Sequence, residues 1–247
     1  MNHVIIGMGE VGRALFDVLS AFEDYKVGWK EYGESSNVPF LGPAHVMHVA
    51  MPYSENFNAE VRNYAAYFGA SLVIVHSSVP VGTCDSNHWV HSPVRGVHPN
   101  IAKGIRTFVK YFGGLRSEEA ADIFSALGVR TVAVPHARDT EAAKLWDTTQ
   151  YGVQIVLMKA IYAWCRQHKV DFELVYTEFN HSYNEGYSKL DRREVSRPYL
   201  NYMPGPIGGH CVMQNLPLLG ENFITNLVEE FNKQLVVEDL VISGQPQ

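Results

Sequence analysis

His3-Val-Ile-Ile-Gly7-Met-Gly9-Glu-Val-Gly12-Arg-Ala-Leu-Phe-Asp-Val-Leu19 is the stretch that decides the fold. A strand-like apolar run, residues 3–6, meets three glycines spaced G-x-G-x-x-G, and an amphipathic helical pattern follows over residues 11–22. In such a turn Gly7 permits the sharp exit from the strand, Gly9 lets backbone approach a pyrophosphate, and Gly12 lets helix pack closely on strand. The helix start offers free N–H groups and the positive end of its dipole to phosphate. The spacing alone is a weak signal. With both flanks right, it reads as a dinucleotide-binding turn made of Gly7, Met8, Gly9, Glu10, Val11 and Gly12.

Working outward, strand patterns recur at residues 25–29, 45–50, 72–76, 89–91, 109–112 and 131–134, with helical patterns at 59–68 and 117–127. This alternation predicts an α/β fold, a Rossmann-type doubly wound parallel sheet. Ligands of such sheets sit beyond the C-terminal ends of the strands. Ala50 and Pro52 at the end of the third strand, and Ser77 and Ser78 after residues 72–76, therefore join the cofactor-facing set. An acid at the end of the second strand would take the ribose hydroxyls. Lys30 falls there with Glu31 next to it. Glu31 could serve the ribose of NAD, and Lys30 could instead meet the 2′-phosphate of NADP. NAD is the first reading and NADP stays open.

The texture changes after Pro135. Residues 139–168 contain no proline and one glycine, Gly152, and apolar residues recur at helical spacing. Such a helix runs about 45 Å, long enough to be the spine of a second domain. The expected organisation is a dinucleotide-binding domain over residues 1–136 and a smaller all-helical domain over 137–247. Within the latter, residues 172–180 read as a helix, 182–202 as a loop, and 222–235 as a helix with a loosely ordered tail from 236. The aromatic residues Tyr183, Tyr187, Tyr199 and Tyr202 of the expected loop suit either a lid or a packing flap.

Composition narrows the function. A net charge of −6 leaves no basic field for nucleic acid or anionic lipid. No apolar run approaches the roughly 20 residues of a membrane helix, and three distant cysteines, Cys84, Cys165 and Cys211, argue against a disulfide framework. A cytoplasmic protein acting on a small molecule is the expectation. Eleven histidines, His88, His91, His98 and His210 among them, raise the question of zinc. No CxxC or HExxH spacing supports it, so no metal is expected.

Three further segments carry a resemblance: His76-Ser-Ser-Val-Pro-Val-Gly-Thr83, Ser92-Pro-Val-Arg95 running to Gly113-Gly114, and Pro204-Gly-Pro-Ile-Gly-Gly-His-Cys211. With the glycine turn, their order and spacing resemble the UDP-glucose/GDP-mannose dehydrogenase family, of the 6-phosphogluconate dehydrogenase-like group, from Met1 to about Leu219. His98-Pro99-Asn100 is similar, over a shorter match, to prephenate dehydrogenase-like enzymes of the same group. The family oxidises a sugar-nucleotide alcohol to a carboxylate in two NAD-linked steps. The resemblance implies that Cys211 is a catalytic thiol forming a thiohemiacetal, that Lys144 stabilises a developing alkoxide, and that Ser78 lies near the nicotinamide. It further implies a homodimer built on the long helix and a substrate carbon between two domains, flanked by Cys211 and Lys144. Where the family has glutamate, asparagine and aspartate, this chain has Val94, Thr148 and Asn215. Val94 cannot move a proton and Asn215 cannot accept one. Thr148, one helical turn from Lys144, and Asn215 remain candidate site residues. The chain also stops where the family's nucleotide-gripping domain would begin. The expectation is an NAD(P)-dependent oxidoreductase acting on an alcohol or aldehyde, with a sugar or sugar nucleotide as the implied substrate class. The alternative is a non-catalytic dinucleotide-binding relative serving as sensor or partner subunit.

Overall fold

The computed structural model describes residues 1–243 except 32, 34, 97, 98, 209 and 210, and of residues 236–243 the backbone course only. The chain divides into two compact units, Met1–Lys144 and Leu145–Gln247.

The first unit is an eight-stranded sheet. Its strands are β1 Asn2–Ile6, β2 Lys26–Lys30, β3 Ser36–Asn37, β4 Val46–Val49, β5 Leu72–Val75, β6 Val90–His91, β7 Lys110–Gly113 and β8 Thr131–Val134. They lie in the order β3-β2-β1-β4-β5-β6-β7-β8. The central strands β2, β1, β4, β5 and β6 are parallel, whereas β3 pairs antiparallel to β2 and β7 antiparallel to β6. The chain winds from β1 to β2 on one side and returns to β4 on the other. The gap between the C-terminal ends of β1 and β4 is thus the topological switch point of the sheet, where open α/β folds bind ligands.

Alternation along the strands builds two cores. On one face Ile5, Val46 and Ile74 pack with α1 (Glu10–Leu19), α4 (Ile101–Thr107) and α5 (Ser117–Ser125). On the other, Val4, Ile6, Met47 and Val75 pack with α2 (Phe57–Phe68) and with Cys84 of α3 (Thr83–Asn87). Helices on both faces are the doubly wound arrangement expected from the alternation. The short elements β3, α3 and α4 were not anticipated.

The first core holds a row of polar side chains. His3, His48 and His76 are fully or almost fully buried. His3 Nδ1 meets His48 Nε2 at 3.0 Å, and His48 Nδ1 meets His76 Nε2 at 3.0 Å. His76 Nδ1 meets the Ser92 carbonyl at 2.9 Å. The buried Lys110 amine donates to the same carbonyl at 3.2 Å. His91, also buried, contacts Thr140 Oγ1 at 2.8 Å. Leaving one such group unpaired in a core costs about 1–3 kcal/mol, so the row specifies how the strands align.

Helix α6 (Ala137–His168) is 32 residues long, and its part from Leu145 onward belongs to the second unit. At Gly152 a Cβ would fall 2.7 Å from Val212 and 3.3 Å from Val228. The lone glycine therefore lets α8 (Cys211–Leu219) and α9 (Phe223–Ser243) approach α6 closely. Two apolar clusters result, one around Val156, Val212, Leu216 and Val228, the other around Met158, Cys165, Phe172 and Tyr176. Residues 172–180 are helical as expected, with Glu173–Glu178 wound as π-helix. Two other expectations fail here. The expected loop begins as helix α7, Phe179–Lys189. The expected loose tail is helical as far as Ser243. Tyr202 is no lid, since it stacks on Tyr162 at 3.7 Å within the second cluster.

The buried imidazoles tie stability to pH. Burial pushes all four histidine pKa values below 6.5, those of His3 and His91 to about 3. In the unfolded chain they titrate near 6.5, so below that pH the unfolded state binds more protons. Their contribution is complete above about 6.5 and is lost as pH falls toward 3. Melting temperature is expected to fall steeply from about pH 6.5 downward. A flat profile in that range would show that these rings are not buried in neutral form.

Candidate functional site

The glycine turn joins β1 to α1 at the switch point. Gly7 has φ of +90°, a conformation that side chains rarely adopt, and a Cβ there would sit 2.8 Å from the Ala50 carbonyl. At Gly12 a Cβ would come within 1.9 Å of the Gly7 carbonyl oxygen. Both glycines are therefore required by the protein's own packing. Gly9 differs. Its φ is −65°, open to any residue, and an added Cβ would meet no described atom within 4 Å. No described neighbour calls for glycine there. Gly9 also caps α1 without any side-chain hydrogen bond to the helix start, and leaves room for a ligand before the first turn, as phosphate binding at a helix start needs.

The neighbouring strand ends complete this edge. Ile6 pairs with Lys30, and Gly7 N–H donates to the Lys30 carbonyl at 2.9 Å. Glu31, the next residue, accepts from the Met8 N–H through Oε2 at 2.8 Å. A carboxylate thus stands beside the turn, where the ribose acid of a dinucleotide site belongs. Lys30 donates its ammonium to the Gly33 carbonyl. Ala50 follows β4 and is half-buried, and Pro52 is exposed. Ser77 Oγ donates to the Met51 carbonyl at 2.6 Å, tying the ends of β4 and β5 together. Ser78 is half-buried beside it. Glu10 and Val11 form the first turn of α1.

Lys144 closes the first unit. Its ammonium donates to the Val94 carbonyl at 3.1 Å, so the lysine and the valine that stands at the family's glutamate position are brought together. One turn earlier on α6, Glu141 is buried and accepts from Gly82 N–H at 2.6 Å and Cys84 N–H at 2.8 Å. Burial raises its pKa, and the same burial, with Glu141 beside it, pushes the Cys84 thiol well up. Cys84 is therefore no thiolate nucleophile. Glu141 was missed in the sequence because an acid on an exposed-looking helix gives no signal of its partners.

In the second unit Cys211 is the first residue of α8 and is exposed, unlike the buried Cys84 and Cys165. Thr148 and Asn215 are both buried, and Asn215 Nδ2 donates to Thr148 Oγ1 at 3.1 Å. The two departures from the family pattern are thus hydrogen-bonded to each other, pinning α8 to α6. Lys159, buried on α6, donates to the Met203 and Gly205 carbonyls, with its ammonium 5.3 Å from the Tyr202 ring centre. It holds the chain that leads to Cys211.

His98 and His210 lie outside the described residues. His88 is exposed and His91 is engaged with Thr140. Among the described residues no three His, Cys, Asp or Glu side chains are grouped as a metal ion requires, and no helix is long and apolar enough to cross a membrane.

No family model and no curated protein matches the chain. Solved structures do. The chain is similar to a UDP-D-ManNAc dehydrogenase from Pyrococcus horikoshii, with TM-score 0.71 and 17% identity over 99% of this chain and 72% of that one. It is similar to a UDP-glucose dehydrogenase from Pyrobaculum islandicum, with TM-score 0.69 and 16% identity over 97% and 71%. A 3-hydroxyisobutyrate dehydrogenase from Mycobacterium tuberculosis gives TM-score 0.58 and 14% identity over 100% and 88%. At these identities the likeness establishes one thing: this chain has a fold shared with those dehydrogenases.

Proposed function

We propose that the chain is an oxidoreductase that binds a nicotinamide dinucleotide at the C-terminal edge of its sheet, NAD in preference to NADP. The observation that carries this reading is Gly9, a glycine at the helix start that no described neighbour crowds. The pyrophosphate would rest on the N–H groups of the first turn of α1. Glu31 would turn from the Met8 amide to accept the ribose hydroxyls, and its charge would repel a 2′-phosphate. When bound, a nicotinamide supplies a two-electron hydride acceptor or donor.

The substrate is an alcohol or aldehyde, and the resemblance makes a sugar or sugar nucleotide the first class to try. In its first unit the chain offers the Lys144 ammonium to an oxygen that gains negative charge. In its second it offers the Cys211 thiol, whose sulfur would add to an aldehyde carbon while the carbonyl oxygen takes up a proton. The same resemblance makes α6 the seam between two copies of the chain. Trp146, Tyr151, Leu157 and Trp164 are exposed along it.

A second reading has its own support. Val94 is apolar, and Thr148 and Asn215 are hydrogen-bonded to each other, so the two positions that carry acids in the family, and the asparagine position between them, hold no acid or base here. The chain would then bind a dinucleotide without turnover.

Titration with NADH and NADPH, followed by nicotinamide fluorescence and melting temperature, tests the cofactor. NADH is expected to bind the more tightly and to raise Tm by mass action, and Glu31→Ser is expected to narrow the gap between the two. Tighter binding of NADPH would shift the role to Lys30. Activity is tested by a screen of alcohols, aldehydes and sugar nucleotides. In any turnover found, Cys211→Ser is expected to cost roughly a hundredfold or more in kcat, and undiminished turnover in that variant would remove Cys211 from the mechanism. Saturable cofactor binding without turnover across the screen favours the second reading.

A further inference from the structure

The row of buried bases in the first core has a direction. His3 on β1 is paired in register with Val46, and His48 lies two residues beyond Val46 on β4. His48 is in turn level with Ile74, and His76 lies two residues beyond it, just past β5. The row therefore climbs diagonally across neighbouring strands, from the N-terminal side of β1 to the C-terminal edge of the sheet. Ser92 follows β6, and Lys110 opens β7. At the upper end Lys110 Nζ lies 3.3 Å from His76 Nδ1. At the lower end His3 Nε2 is buried with no hydrogen-bond partner among the described residues.

The tautomers follow from the carbonyl. The Ser92 carbonyl can only accept, so His76 carries its hydrogen on Nδ1 and accepts on Nε2. His48 must then donate from Nδ1 and accept on Nε2, and His3 must donate from Nδ1. All three rings point the same way, and the acceptor left over is His3 Nε2.

We propose that His3, His48, His76 and Lys110 form a one-proton relay through the core of the sheet, joining the N-terminal side of β1 to the C-terminal edge where the candidate cofactor site lies. When the N-terminal end of β1 opens to solvent, a hydronium ion gives a proton to the otherwise buried His3 Nε2 and leaves as water. The His3 Nδ1 proton passes to His48 Nε2, the His48 Nδ1 proton to His76 Nε2, and the His76 Nδ1 proton to the lone pair of neutral Lys110 Nζ. One proton enters, Lys110 becomes an ammonium, and each ring ends neutral with its hydrogen on Nε2. The reverse sequence discharges Lys110.

The surroundings suit this exchange. Burial, together with the charges of Arg95 and Lys144, lowers the Lys110 pKa to about 7, so the amine can both take and give a proton near neutrality. The rings of Phe112 and Phe124 lie 5.6 and 5.3 Å from its nitrogen. The charges that act on the relay are the N-terminus and His45 on His3, His3 and Lys110 on His48, and Lys110, His48 and His91 on His76. Since Lys144 acts on Lys110, loading the relay also raises the positive potential around Lys144 and Val94.

The test uses the cofactor-free chain labelled with ¹⁵N-histidine, so it stands apart from dinucleotide binding. Scalar couplings across two N–H···N bonds, His3 to His48 and His48 to His76, are expected in the wild type, and their absence in the folded protein overturns the proposal. Solvent exchange of the His76 ring proton is then compared in His48→Leu and in His3→Phe, which blocks only the outer end. Exchange is expected to slow on the order of a hundredfold in each folded variant, the range attributed to positioned proton donors. An unchanged rate in either folded variant would show a static polar network with no conduction.

Discussion

The contact on which the first unit depends is backbone against backbone, where α1 crosses the end of β1. Any side chain at Gly12 would penetrate the carbonyl of Gly7, so only glycine allows the helix to lie this close to the strand. That closeness sets the start of α1 directly above the switch point. It also brings Gly7 against Ala50 and sets the Met8 amide within reach of Glu31. The glycine turn is therefore first a packing device, and the ligand-facing edge follows from the packing. Only Gly9 stands outside this requirement, which is why it speaks about function when its two neighbours speak about architecture.

Much of this was legible in the sequence, and for a physical reason. Parallel strands buried on both faces appear as short apolar runs such as Leu72–Val75, and the helices between them carry one apolar stripe. Elements without that contrast were missed. β3 is two exposed residues. α4 is seven residues with a glycine at its middle. α7 has no buried residue, so it shows no apolar period, and its polar, aromatic sequence looked like a loop. Its surface ion pair, Lys189 with Glu185 at 2.7 Å, is a local helix contact that a periodicity search does not detect.

The site was legible in a similarly uneven way. Glycines and strand ends follow from backbone rules, so Gly7, Gly12, Glu31 and Ser77 could be placed at the C-terminal edge of the sheet by position alone. Long-range polar pairings do not follow from local pattern. The meeting of Asn215 with Thr148, and of Lys144 with the Val94 carbonyl, joins residues far apart in the chain. Histidines inside apolar runs, His3 in β1 and His48 in β4, were the one sequence sign of the buried row. In the sequence the question of metal fell on other histidines, His88, His91, His98 and His210, and these two drew no reading of their own. In the fold they form a line of single hydrogen bonds, which suits proton transfer and does not converge on an ion.

The account rests on the claim that the space before α1 is kept for a dinucleotide, and Gly9→Val tests it most directly. The backbone angles at that position accept valine and no described neighbour crowds it. The variant should therefore fold in the absence of ligand, at a cost of about 1 kcal/mol for the poorer helix cap, while its new side chain occupies the path of the pyrophosphate. Titrated with NADH side by side, the wild type is expected to bind saturably and the variant to show no binding. Equal binding by the two folded proteins, or none by the wild type, would contradict the account.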